Sequence, residues 1–130
     1  MELFKRILDF DKQTVARREQ RLSQRFNISP LALMQGRLQV SGLDYPVSLS
    51  DLSSTGAGIV MESSVDVHEG MSCQITIVAE STNIPLKSKI ARDVSTDAGA
   101  VVGLEFTDNE YEERRCLVQL LEPISMGATL

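Results

Sequence analysis

Two short stretches carry side chains suited to recognising a polar, anionic partner. Arg21-Leu22-Ser23-Gln24-Arg25-Phe26 sets two arginines four residues apart, with an aromatic directly after the second. Each guanidinium is a planar fork of donors that matches phosphate oxygens or the O6/N7 edge of guanine. Asp51-Leu52-Ser53-Ser54-Thr55-Gly56 gathers a carboxylate, three hydroxyls and a glycine. Asp51 and Ser53 can pin a turn by bonding nearby backbone, and Gly56 offers a backbone that another group can approach closely. An ordinary hairpin corner uses the same residue types, so neither stretch is a site by itself.

The elements that must position them read as follows. Met1 to Leu8 places Leu3, Phe4, Ile7 and Leu8 on one helical face. Asp9 and Asp11 are read as breaking this helix or capping the next, and Lys12 to Gln24 as a second, strongly polar helix that ends before Pro30. Six strands follow: Ala32 to Val40, Tyr45 to Leu49, Ala57 to Met61, Ser72 to Ala79, Ile84 to Val94 and Ala100 to Phe106. Turn signals separate them at Ser41-Gly42-Leu43-Asp44, Glu69-Gly70, Ser81-Thr82-Asn83 and Thr96-Asp97-Ala98-Gly99. A last helix is expected to be capped by Thr107 or Asp108, carries Glu110, Glu112 and Glu113 in its first turns, and stops at Pro123. The expected fold class is mainly β: a six-stranded antiparallel barrel, whose closure removes open edges, with an N-terminal helical or flexible segment and a C-terminal helix. The expected organisation is 1–26 for the N-terminal segment with the arginine pair, 27–124 for the barrel and last helix, and 125–130 for a tail.

Charge narrows the partner. The chain carries a net charge of −5, which disfavours a DNA or RNA polymer. Yet residues 1–25 hold seven Lys/Arg against four Asp/Glu, while the remainder holds six against fourteen. The basic groups therefore collect where the arginine pair lies, which suits a small anionic ligand. Cys73 and Cys116 have neither metal-ligand nor redox spacing and read as buried free thiols of a reducing cytosol. No apolar run reaches the length of a membrane span, and the N-terminus lacks the pattern of a secretory signal, so the expected location is cytoplasmic.

Enzyme chemistry finds no constellation. The single histidine, His68, sits in a loop without a placed nucleophile, Asp51 with Ser53 lacks a base of suitable pKa, and no metal cluster or phosphate-binding GxxxxGK[ST] is present. The expectation is a binding protein without metal or catalytic residues.

An RxxxR at Arg21 and Arg25, followed at this separation by DxSxxG from Asp51 to Gly56, resembles the PilZ domain, a bacterial family of cyclic di-GMP receptors. The resemblance runs from about Arg17 to Leu121, and Val102-Gly103-Leu104-Glu105-Phe106 looks like the family's usual final strand. It implies cyclic di-GMP as ligand, bound as one molecule or an intercalated pair. It gives Arg21 and Arg25 to phosphate and guanine edge, Asp51 and Ser53 to the guanine and its surroundings, and Gly56 to the turn. Asp51 can accept from the guanine N1–H and N2–H₂ donors, which adenine lacks. Arg17 and Arg18 are further candidates for phosphate, Gln20 for ligand number, and Ile90 with Arg92 for packing on a guanine. The resemblance further implies an adaptor: the ligand orders the arginine segment against the barrel and changes binding to a protein effector, the chain being a monomer or weak homodimer. The alternative is a PilZ-fold interaction module of motility or pilus machinery with weak or no nucleotide binding. Retention of both arginines favours the receptor.

Overall fold

The computed structural model describes residues 2–28, 34–62, 66–79, 82–96 and 99–126, with 2–10 and 95–96 described in backbone alone. Helix α1 (Glu2–Arg21) is continuous, where two helices were expected. Asp9 and Asp11 do not break it because aspartate inside a helix costs at most about 0.7 kcal/mol relative to alanine, and no Gly or Pro interrupts residues 2–21. The side chains of the expected apolar face at Leu3, Phe4, Ile7 and Leu8 lie outside the described residues, as do Pro30, the start of the first expected strand at Ala32, Ser81, Asp97, Ala98 and the tail beyond Met126.

Among the described residues, seven strands follow: β1 (Phe26–Asn27), β2 (Met34–Val40), β3 (Leu43–Leu52), β4 (Gly56–Met61), β5 (Ser72–Ala79), β6 (Thr82–Thr96) and β7 (Gly99–Phe106). The order β3-β2-β5-β6-β7-β4, closed by a β3–β4 pairing, makes the expected six-stranded antiparallel barrel. The two-residue β1 is an addition the sequence did not announce. It pairs with the end of β3, Phe26 opposite Leu52 and Asn27 opposite Asp51. The β2–β3 turn is tighter than expected: Ser41 and Gly42 alone make it, at φ 53° and 77°, the double positive φ that matches strand twist in a two-residue hairpin. Leu43 and Asp44 therefore belong to β3.

Alternation along the strands fills the barrel. Leu38, Leu52, Ile59, Ile75, Ile77, Ile84, Leu86, Ile90, Val102 and Leu104 are fully buried. Two bulges interrupt the alternation, in β3 between Leu49 and Asp51 and in β6 between Ile90 and Arg92. An extra residue bends a strand and re-aims the side chain that follows. The residues re-aimed are Asp51 and Arg92, both turned outward.

Helix α2 (Tyr111–Ser125) contributes Leu117, Val118 and Leu121 to the same core as Val15 and Leu22 of the N-terminal segment. Its N-cap is Glu110, without a side-chain cap bond, and not the expected Thr107 or Asp108. Asp108 instead takes φ 45°, and Asn109 ties the approach to β6 by accepting from the Lys87 N–H and donating to its carbonyl, at 2.7 and 3.0 Å. Pro123 does not end α2 either. It lies in the last turn, which runs on through Ser125, closed by bonds from the Ser125 hydroxyl and the Met126 N–H to the Glu122 carbonyl.

Candidate functional site

The β1–β3 register brings the two sequence stretches together. Phe26 opposite Leu52 leaves Arg25 just before the ladder, and its Nη1 lies 2.7 Å from Oδ1 of Asp51. Both side chains remain partly exposed, at 45% and 27%, so the pair is open to a ligand from the solvent side. The helix ends between the arginines. Arg21 is the last residue of α1, and the Ser23 hydroxyl bonds the Gln20 carbonyl at 2.9 Å, so Arg21 and Arg25 share neither a helix face nor an extended strand.

The corner after β3 is pinned by Ser53, fully buried. Its Oγ accepts from the N–H groups of Thr55 and Gly56 at 3.1 and 3.2 Å, and its own N–H donates to the Gly56 carbonyl at 2.9 Å. Gly56 has no alternative: a Cβ there would fall 2.1 Å from the Leu104 carbonyl oxygen and 3.0 Å from Nη2 of Arg25. Ser54, outside the expected set, fastens the corner to α1. Its N–H donates to the Leu22 carbonyl at 2.9 Å and its hydroxyl to the Glu19 carbonyl. Glu19 in turn is gripped by Arg114 of α2, and Arg18 lies 3.3 Å from Glu122. Hydrogen bonding to Glu19 holds the Arg114 guanidinium above its usual pKa.

The remaining expected residues divide. Arg17, Gln20 and Arg21 are exposed, and Arg17 and Arg21 form no ion pair among the described residues. Arg18 is engaged with α2. Arg92 is exposed and lies across the sheet from Asp51: Asp51 pairs with Gly58, Gly58 with Gly103, and Gly103 with Arg92. Ile90 does not join them. It is 1% exposed and points into the barrel, on the side of β6 away from Arg92.

Sequence reasoning missed Gly58, Gly103, Ser54, Glu19 and Arg114. Gly58 had a visible signal, since a glycine inside a β-branched strand marks a close approach. A Cβ there would fall 2.5 Å from Oδ2 of Asp51, so Gly58 gives the carboxylate its room. A cleft of about 430 Å³ lies on the other side of the corner, lined by Glu19, Ser54, Thr55, Glu105, Asp108 and Arg114 among others. Its carboxylates make it a poor place for a phosphate. The arrangement around Arg25 and Asp51 instead offers a cationic fork and a carboxylate on one open face.

Comparison with known proteins gives a consistent picture. The family model described as the PilZ domain matches residues 16–122. A search of curated proteins gives no match. Among solved structures, the fold is similar to that of MrkH of K. pneumonia in complex with c-di-GMP, at TM-score 0.70 and 10% identity, covering 80% of this chain and 52% of that one. It is similar to the Bacillus subtilis inhibitor of motility, MotI/DgrA, at TM-score 0.65 and 15% identity, covering 79% and 49%. It is also similar to the PilZ domain of YcgR from Escherichia coli with c-di-GMP, at TM-score 0.64 and 15% identity, covering 80% and 90%. The chain thus spans about half the length of the first two proteins.

Proposed function

The chain belongs to the PilZ domain family, and from that premise we propose that it is a cyclic di-GMP receptor acting as an adaptor for a protein effector. The observation that carries the reading is the Arg25–Asp51 pair, assembled by the β1–β3 register at the mouth of the serine-pinned corner. Arg21 and Arg25 supply forks for phosphate oxygens and the guanine O6/N7 edge. Asp51 accepts from the guanine N1–H and N2–H₂ donors. Ser53 and Gly56 hold the corner in shape, and Arg92 approaches from the opposite wall as a planar cation able to lie on a base. Arg17 and Gln20 add reach for a second phosphate.

Helix α1 is formed through Arg21 and fastened at its end by Ser54. What the ligand organises is therefore Ser23–Arg25 and the arginine side chains, and through them the surface that α1 and α2 present. In this reading the response passes to another protein through that surface.

Calorimetric titration with cyclic di-GMP tests the reading, with GTP and cyclic di-AMP as controls. Guanine-selective heat that is lost in Arg21→Ala and Arg25→Ala supports the receptor and reports one ligand or an intercalated pair. No heat with the wild-type chain at high micromolar ligand, confirmed by a second method, returns the reading to a docking module.

A further inference from the structure

Three successive rows cross the outer face of β4 and β7. In the first, Val60 stands opposite Val101 and Val101 opposite Val94, and the three are 39%, 40% and 50% exposed. In the second, Gly58 stands opposite Gly103, and both glycines are covered. A Cβ on Gly58 would fall 2.5 Å from Oδ2 of Asp51, and one on Gly103 would fall 3.6 Å from Nε of Arg92. A carboxylate thus lies over β4 and a guanidinium over β7. In the third, Gly56 stands opposite the exposed Glu105, and a Cβ on Gly56 would fall 3.0 Å from Nη2 of Arg25. Here the cation lies over β4 and the carboxylate is on β7.

This order of groups makes the face complementary to itself. A two-fold axis running along the strands, between β4 and β7, lays the face on the same face of a second copy. Each group over β4 then meets the group of its own row over β7 of the partner, as an isologous contact requires. Val60 meets the partner's Val101, Asp51 meets the partner's Arg92, and Arg25 meets the partner's Glu105. The charged groups have unused capacity. Arg25 takes only Oδ1 of Asp51, and neither Arg92 nor Glu105 forms an ion pair among the described residues. Two strands and the side chains laid over them make a patch smaller than the roughly 800 Å² per partner of a standard stable complex, so the association is weak.

We propose that a second copy of this chain docks on the outer face of β4 and β7, through valine packing and two kinds of ion pair between copies, Asp51 to Arg92 and Arg25 to Glu105. Docking occupies Arg25, Asp51 and Arg92. On the reading of the chain as a cyclic di-GMP receptor, on which this last step rests, ligand and second copy exclude each other and the ligand releases monomers.

Sedimentation equilibrium of the full chain tests the face, with thermal unfolding of each variant as the check on folding. The expected dissociation constant is about 0.1 mM, in the range of small transient interfaces. Val101→Lys, Arg92→Glu and Asp51→Lys should each weaken self-association at least tenfold. An equimolar mixture of Arg92→Glu and Asp51→Lys should associate again, because one copy of each restores an opposite charge at both symmetric contacts. A wild-type chain that stays monomeric at millimolar concentration overturns the proposal, as does self-association that Val101→Lys and Arg92→Glu leave unchanged. Saturating cyclic di-GMP should dissociate the wild-type pair. Calorimetric binding of the nucleotide with the pair intact overturns the exclusion and leaves the receptor standing. Absence of nucleotide binding, with dimers and the mixture effect present, overturns the receptor and leaves the docking face standing.

Discussion

Arg114 on α2 holds the Glu19 carboxylate on α1 through two donors, Nε to Oε2 at 3.0 Å and Nη2 to Oε1. The residues lie 95 positions apart. The same Glu19 presents its carbonyl to Ser54, so one residue joins α1, α2 and the corner. Glu19 is 18% exposed and Arg114 42%, which places the pair between a surface and a buried one. A double-mutant cycle of Glu19→Gln and Arg114→Gln in urea unfolding should give a coupling of about 1–2 kcal/mol, weaker at high salt.

Ser53→Ala removes the acceptor for the N–H groups of Thr55 and Gly56 at a site without solvent. Stranding buried donors costs about 1–3 kcal/mol. Denaturant unfolding should show that loss, with cyclic di-GMP affinity reduced because the corner no longer holds Asp51 in place.

Asp51→Asn keeps the shape of the side chain but withdraws the charge that Arg25 faces. Loss of a charge-assisted hydrogen bond is worth about 1.5–3 kcal/mol, so calorimetry should show affinity falling by roughly tenfold or more. Unfolding free energy should move by only about 0–1 kcal/mol, because the Arg25 pair is exposed.

Burial pushes the Cys73 thiol up to about 11. Between the ordinary thiol range and that value the unfolded chain loses a proton that the folded chain keeps. Stability is therefore full below the ordinary range and falls as pH rises through it. Unfolding curves from pH 8 to 11 should show a decline that Cys73→Ala reduces.

The barrel was legible because its signals are local and repeated: alternation such as Cys73, Ile75, Ile77 and turn residues such as Gly42 each specify one step of the ring. The candidate site was legible only in halves. Arg21, Arg25 and Asp51 to Gly56 stand out by residue type, but the meeting of Arg25 with Asp51 depends on β1, a strand of only two residues. Glu19 and Arg114 looked like ordinary helix charges because their partners are distant in sequence. Ile90 and Arg92 differ for a reason of geometry: a bulge at Ala91 sends one inward and the other out, and a bulge leaves no clear mark in an alternating pattern. Pro123 misled because a proline in the last turn removes a bond without ending the helix.

Helix α1 runs 20 residues, about 30 Å at 1.5 Å per residue, and is fastened at its C-terminal end near Leu22. Such an arm magnifies angle into distance. A tilt of about 10° at the Leu22 fulcrum carries the opposite end through about 5 Å, on the order of one helical turn. In the proposed receptor, a ligand that tilts α1 by that angle would move its far end by a distance that another molecule can sense.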